Sequence, residues 1–341
     1  MPARKVLTQI APTAWEHPAD RAALNTLRSI PGFDELVRKI MGAIGERGVR
    51  HLFTANAVRV GPRQRPKLDA LYTEVLESLD WAVRPELFIS QTPVANAMAV
   101  GFDKPFIVLN SGALAILDED ERRVLLGHEV GHVMSGHATY TTIALLILRI
   151  GFSALPGLGL IALPVQLALL EWYRKAELSA DRAGLLATQD PIASMRLFLK
   201  MAGGSASDDE TSLDEFLVQA REYETGGTAF DTILKLLNVA FQSHPFATVR
   251  AAELQRWIES GGYDRILSGE YPRRGAADQR PLREDYAEAA AHYREQTRGA
   301  VDQVAEAVRS LSDLVTNAFR SGGAGAGSGG EQPPPGASPP K

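Results

Sequence analysis

Apolar residues recur three and four apart through the first part of this chain. Leu24, Leu27, Ile30, Phe33, Leu36, Ile40 and Ile44 keep that spacing around a break at Pro31-Gly32, which predicts a pair of packing helices over 18–48. A second helical pattern covers residues 66–79. The period then shortens. Residues 86–90, 96–100 and 106–110 read as short strands, with Gly101 and Pro105 between the last two. The acidic run Asp118-Glu119-Asp120-Glu121 opens the next helical stretch. Carboxylates there suit the positive end of a helix dipole, so the run reads as a cap rather than a metal site.

From 143 to 170 the chain is mostly apolar, interrupted by Arg149, Pro156, Gly157, Gly159 and Pro164. A run of this length raises a membrane span. Two crossings, however, need about 40 apolar residues, more than the run holds, and Pro156-Gly157 fits a turn between two short helical arms. Three readings stay open: a hairpin buried in protein, a re-entrant or interfacial hairpin at a membrane surface, and a surface that docks another subunit.

Further on, residues 207–226 are acidic and polar around Phe216 and Leu217, as in a surface helix or flap, and 229–241 form an apolar helical pattern. Over 284–320, Val301, Val304, Val308, Leu311 and Val315 alternate three and four apart like a coiled-coil seam. That pattern fits a helix packed on the body, a homo-oligomer contact or a membrane-surface helix. Residues 321–341 are Gly, Ser and Pro with little apolar content and read as a disordered tail.

A chain of 341 residues has room for one large or two modest domains. The net charge of −5 leaves no electrostatic footprint for nucleic acid. The chain has no Cys, which excludes disulfides, a thiol nucleophile and thiolate metal sites. The first ten residues carry a little positive charge but no apolar run of signal-peptide length. The expected location is the cytoplasm or the cytoplasmic face of the cell membrane.

The chemistry concentrates at His128-Glu129-Val130-Gly131-His132. On a helix, His128 and His132 project from one face, one turn apart, and Glu129 can reach a water in the open position of a metal held by both. Catalytic zinc usually takes three protein ligands and a water. His137 lies five residues past His132, about 140° round the helix, and reads as a hydrogen-bonded structural or surface residue. A carboxylate on a second helix is the better third ligand. Glu177 sits in the helical stretch Arg174-Lys175-Ala176-Glu177-Leu178-Ser179-Ala180-Asp181, with Asp181 one turn on to accept the free imidazole N–H of a ligand. Because His132 and Glu177 flank the apolar run, a single crossing would place them on opposite sides of a bilayer.

Four matches in order resemble the zinc metalloendopeptidases of the HtpX and CAAX-prenyl-protease family, the gluzincins. They are Asn96-Ala97-Met98-Ala99 ahead of Phe106–Asn110, the 128–132 motif with His137, Glu177 with Asp181, and His244-Pro245 followed by Arg250. They span about residues 70–260. The resemblance implies an α+β, predominantly helical fold: a zincin-like core whose small sheet has an edge strand beside the HExxH helix. It implies one Zn2+ per chain and a polypeptide substrate paired to Asn96, Ala97, Met98 and Ala99 by β-augmentation, although an ordinary small sheet also fits that segment. It further implies that His244 and Arg250 act near the transition-state charge. Arg250 could equally pair with Asp181.

The expected organisation is an N-terminal helical segment over 1–55 and a zinc metallopeptidase domain over 56–272 containing the apolar insert. The amphipathic helix, taken as 273–320, and the tail follow. Function on this reading is peptide-bond hydrolysis by a metal-activated water with Glu129 as base, in membrane-associated protein quality control. The alternatives are an inactive zinc-binding scaffold and a membrane- or partner-docking protein.

Overall fold

The structure, a computed structural model, describes residues 4–30, 33–150, 159–203, 211–225 and 246–275. It is mostly helical around a four-stranded sheet. Helices α1 (Pro18–Arg28) and α2 (Phe33–Thr54) come first, then β1 (Ala57–Arg59), α3 (Pro66–Ser78), β2 (Glu86–Ser90), β3 (Ala97–Val100) and β4 (Phe106–Asn110). The helices α4 (Ser111–Ile116), α5 (Glu119–Met134), α6 (Ala138–Ile150), α7 (Gly159–Thr188), α8 (Pro191–Gly203) and α9 (Leu213–Thr225) follow, with α10 (Ala247–Glu259) and α11 (Gly262–Ser268) beyond them.

The first helical region runs past its expected end at 48. Gly45 (φ 63°) kinks α2, and Val49 and Phe53 beyond the kink are buried. The kink resets the phase of the apolar stripe, which is why the spacing lapses there.

Strand order is β1-β2-β4-β3. The β2–β4 pair is parallel and the two outer pairs are antiparallel. Alternation divides the sheet between two cores. Leu87, Ile89, Ile107 and Leu109 join a cluster with α3, α5 and α8, while Phe88, Phe106 and Val108 join one with α1, α2, α6 and α7. Asn96 lies just outside β3, and its carbonyl accepts the Asn110 N–H at 2.9 Å. The turn after β3 is held from outside the sheet: Thr142 Oγ1 accepts the Gly101 N–H at 2.8 Å, and Glu46 Oε2 accepts that of Phe102 at 3.0 Å.

Helix α5 begins with a capping box. Asp118 Oδ1 accepts the Glu121 N–H at 2.9 Å, and Glu121 Oε2 accepts the Asp118 N–H at 2.8 Å. The acidic run therefore ends in helix capping. Lys200 Nζ, 3.0 Å from Glu121 Oε2, compensates the buried carboxylate.

Helices α5 and α7 run antiparallel, and glycine lets them approach closely. A Cβ on Gly127 would lie 2.4 Å from that of Ala187, and one on Gly131 would lie 2.4 Å from that of Ala183.

Residues 143–150 of the apolar run end α6 and 159–170 start α7, while 151–158, with the expected Pro156-Gly157 turn, lie outside the described residues. Ile143, Ala144, Leu146, Ile147, Val165 and Leu169 are buried in the second core. Among the described residues, no helix is long and apolar enough to cross a membrane. The amphipathic 284–320 segment and the 321–341 tail lie outside the described residues.

Candidate metal centre

The close α5–α7 crossing brings three donors together. His128 Nε2 and His132 Nε2 are 3.1 Å apart. Glu177 Oε1 is 3.2 Å from His132 Nε2, and Glu177 Oε2 is 3.6 Å from His128 Nε2. All three residues are buried, and one donor atom from each lies within 4.8 Å of the others. No other such group of His, Cys, Asp or Glu occurs among the described residues. Two imidazole nitrogens and a carboxylate oxygen suit a borderline divalent cation. Glu129 Oε2, buried without a hydrogen-bond partner beside them, is the orphan acceptor that an ion-bound water would satisfy. The residues present fit the metal.

Electrostatics agree with that arrangement. Burial pushes His132 down to about 4, so its ring is neutral and able to ligate. Burial, and then the carboxylate of Glu177, push Glu129 well above the usual carboxylate range. The backbone of Ala99 on edge strand β3 works in the other direction and lowers it, and the base and the strand edge line one cleft.

Each imidazole is held from behind. His128 Nδ1 lies 2.9 Å from Asp181 Oδ1. Arg250 on α10 clamps the same carboxylate, with Nε 2.9 Å from Oδ2 and Nη2 2.5 Å from Oδ1, and its Nη1 lies 3.5 Å from Glu177 Oε2. Burial alone would raise Asp181, but Arg250 outweighs it and holds the carboxyl below its ordinary range. His132 Nδ1 lies 3.0 Å from His137 Nδ1, and His137 Nε2 lies 3.0 Å from Asp20 Oδ2 on α1. Burial alone would lower His137, yet Asp20 raises it above the usual imidazole range.

Asn96, Ala97, Met98 and Ala99 line the cleft together with His128, Glu129, His132, Glu177 and Arg250. His244 lies outside the described residues. Sequence reading passed over three residues here. Tyr173, one turn before Glu177, and Phe198 on α8 also line the cleft; the four-residue spacing of Tyr173, Glu177 and Asp181 was a usable signal for the first. Asp20 is the third, and as a first-turn acid it reads locally as a helix-dipole partner.

A mostly helical zincin-like core with two histidines and a glutamate converging across a helix pair defines the class: a metal-dependent hydrolase. Residues 62–258 match the family model described as Peptidase family M48. The chain belongs to peptidase family M48 and is a metalloprotease. It is 34% identical over 258 residues to the plastoglobule-localized metallopeptidase 48, chloroplastic, of Arabidopsis thaliana, covering 74% of each chain. It is similar to protease HtpX homologues of Moorella thermoacetica (34% over 95 residues, 27% of this chain and 31% of that one) and Helicobacter pylori strain Shi470 (24% over 192 residues, 49% and 62%). No solved structure matches the chain significantly.

Proposed function

We propose that the protein is a zinc-dependent endopeptidase acting on extended polypeptide. The convergence of three buried donors at His128, His132 and Glu177 carries the reading. These residues would hold one zinc ion per chain, which when bound makes a water nucleophilic near neutral pH and polarises the scissile carbonyl. Glu129 takes a proton from the attacking water and passes it to the leaving amine. A carboxyl raised by burial holds that proton more readily than a solvated one. Asp181 fixes the ring of His128, and Arg250 fixes Asp181. The outer edge of β3, from Ala97 to Ala99, pairs with the substrate main chain. On the resemblance, His244 and Arg250 stabilise the developing oxyanion.

Elemental analysis with casein cleavage tests this on wild type and Glu177→Ala. Near-stoichiometric zinc in wild type, lost together with activity in the variant, supports it. Zinc retained by Glu177→Ala sinks the ligand assignment.

The finer reading is work at a membrane surface, in protein quality control. Its support is the plastoglobule location in the name of the Arabidopsis relative. Flotation with phospholipid vesicles tests it. Protein that stays at the bottom of the gradient rules it out.

A further inference from the structure

The two histidines are oriented by different parts of the chain. His128 is held by Asp181, on the same helix as Glu177. His132 is held through His137 by Asp20, on α1, ahead of the stretch 62–258 that matches the family. From this geometry we infer that Asp20 is a positioning residue for the metal site, setting through His137 which nitrogen of His132 carries the proton. The inference rests on the reading of His128, His132 and Glu177 as metal ligands.

The hydrogen-bond bookkeeping has one consistent solution. A carboxylate is acceptor-only, so His137 Nε2–H must donate to Asp20 Oδ2. A contact of 3.0 Å between two Nδ1 atoms needs one donor and one acceptor. A ligating His132 is bare at Nε2 and so carries its proton on Nδ1, which makes His137 Nδ1 the acceptor. With its proton on Nδ1, His132 presents a bare Nε2 to Glu177 and His128, as a metal requires. With the relay reversed, the proton would sit on the metal-facing nitrogen.

The relay is built into the packing of α1 on α7. Asp20 and His137 are both buried. Ser179 Oγ donates to Asp20 Oδ2 at 2.6 Å and accepts the His17 N–H at 2.9 Å. His17 Nε2 lies 3.7 Å from Glu253 Oε2 on α10. Asp20 is therefore fixed by α7 two residues from Glu177, and its register against His137 follows the same helix that carries the carboxylate ligand.

The test measures zinc affinity by competition with a chromogenic chelator, on the full chain. Asp20→Asn keeps the shape but can turn its NH2 towards His137 and reverse both tautomers. The expected result is zinc binding weakened about 10- to 100-fold. Leu27→Ala removes buried packing near the far end of α1 and leaves the relay residues in place, and its affinity should stay within about threefold of wild type. Asp20→Asn binding as tightly as wild type overturns the inference, and so does an equal loss in Leu27→Ala, which would mean packing alone. The second measurement needs no variant: 15N-histidine NMR on the zinc-loaded wild type should show His137 protonated on Nε2 and not on Nδ1. The opposite tautomer overturns the relay even if Asp20→Asn fails to fold. Retention of zinc by Glu177→Ala would instead overturn the site reading beneath it, so the two failures are separable.

Discussion

Gly131 of the histidine motif faces Ala183 at a separation that leaves no room for a side chain: an added Cβ would come within 2.4 Å of the Ala183 methyl. The consequence is a stability prediction. Gly131→Ala should cost about 1–3 kcal/mol, the usual range for overpacking, and should weaken metal binding by parting α5 from α7. Adding Ala183→Gly should return part of the loss. Urea unfolding of the single and double variants checks it, and simple additivity of the two substitutions would mean the contact is not the cause.

Glu129→Gln should keep its metal and lose activity by about 10²–10⁴-fold. The amide is nearly isosteric but cannot take the proton. Metal content and casein cleavage, measured on the same sample, decide it. Wild-type turnover in the variant would remove Glu129 from the mechanism.

Arg250 compensates two buried acids, Asp181 and Glu177. Arg250→Met leaves both without their cation, which should destabilise the protein by about 3–5 kcal/mol. Arg250→Lys should recover only part of this, because an ammonium cannot reproduce the two-nitrogen contact with Asp181. Equal unfolding midpoints for wild type and Arg250→Met would contradict the clamp.

Chelation should lower the unfolding temperature, and zinc should restore it in a concentration-dependent way. At a free concentration 100 times Kd the gain is about 2.7 kcal/mol. An unfolding temperature indifferent to both treatments would mean the donor cluster holds no ion.

Glu46 and Thr142 hold the turn that follows β3. Glu46→Ala should loosen that edge strand, raising KM for an extended peptide several-fold while zinc content stays constant. An unchanged KM would count against substrate pairing along β3.

How much of this could be read from the chain depended on sequence distance. His128, Glu129 and His132 declare themselves because the helical repeat places them within one turn. Glu177 and Asp181 share that repeat on a second helix, so spacing exposed them too. Strands β2 and β4 were legible from apolar runs bounded by turn residues. Asp20 was not, because its partner His137 lies on a distant segment and a first-turn acid needs no partner to make sense. The close approach at Gly127 and Gly131 was also hidden, since a glycine inside a helical pattern does not announce which neighbour requires it.

The two ends of the described body are clasped together. The Ala11 N–H donates to the Pro272 carbonyl, the Arg274 N–H donates to that of Gln9, and Arg274 Nη1 donates to that of Ile10. Arg250 arrives from the same late stretch. On the ribosome, therefore, the histidines emerge long before the guanidinium that neutralises the acids around them, and such long-range closure is slow. Loosening this clasp therefore reaches the metal centre through Arg250, the cation that Asp181 and Glu177 share.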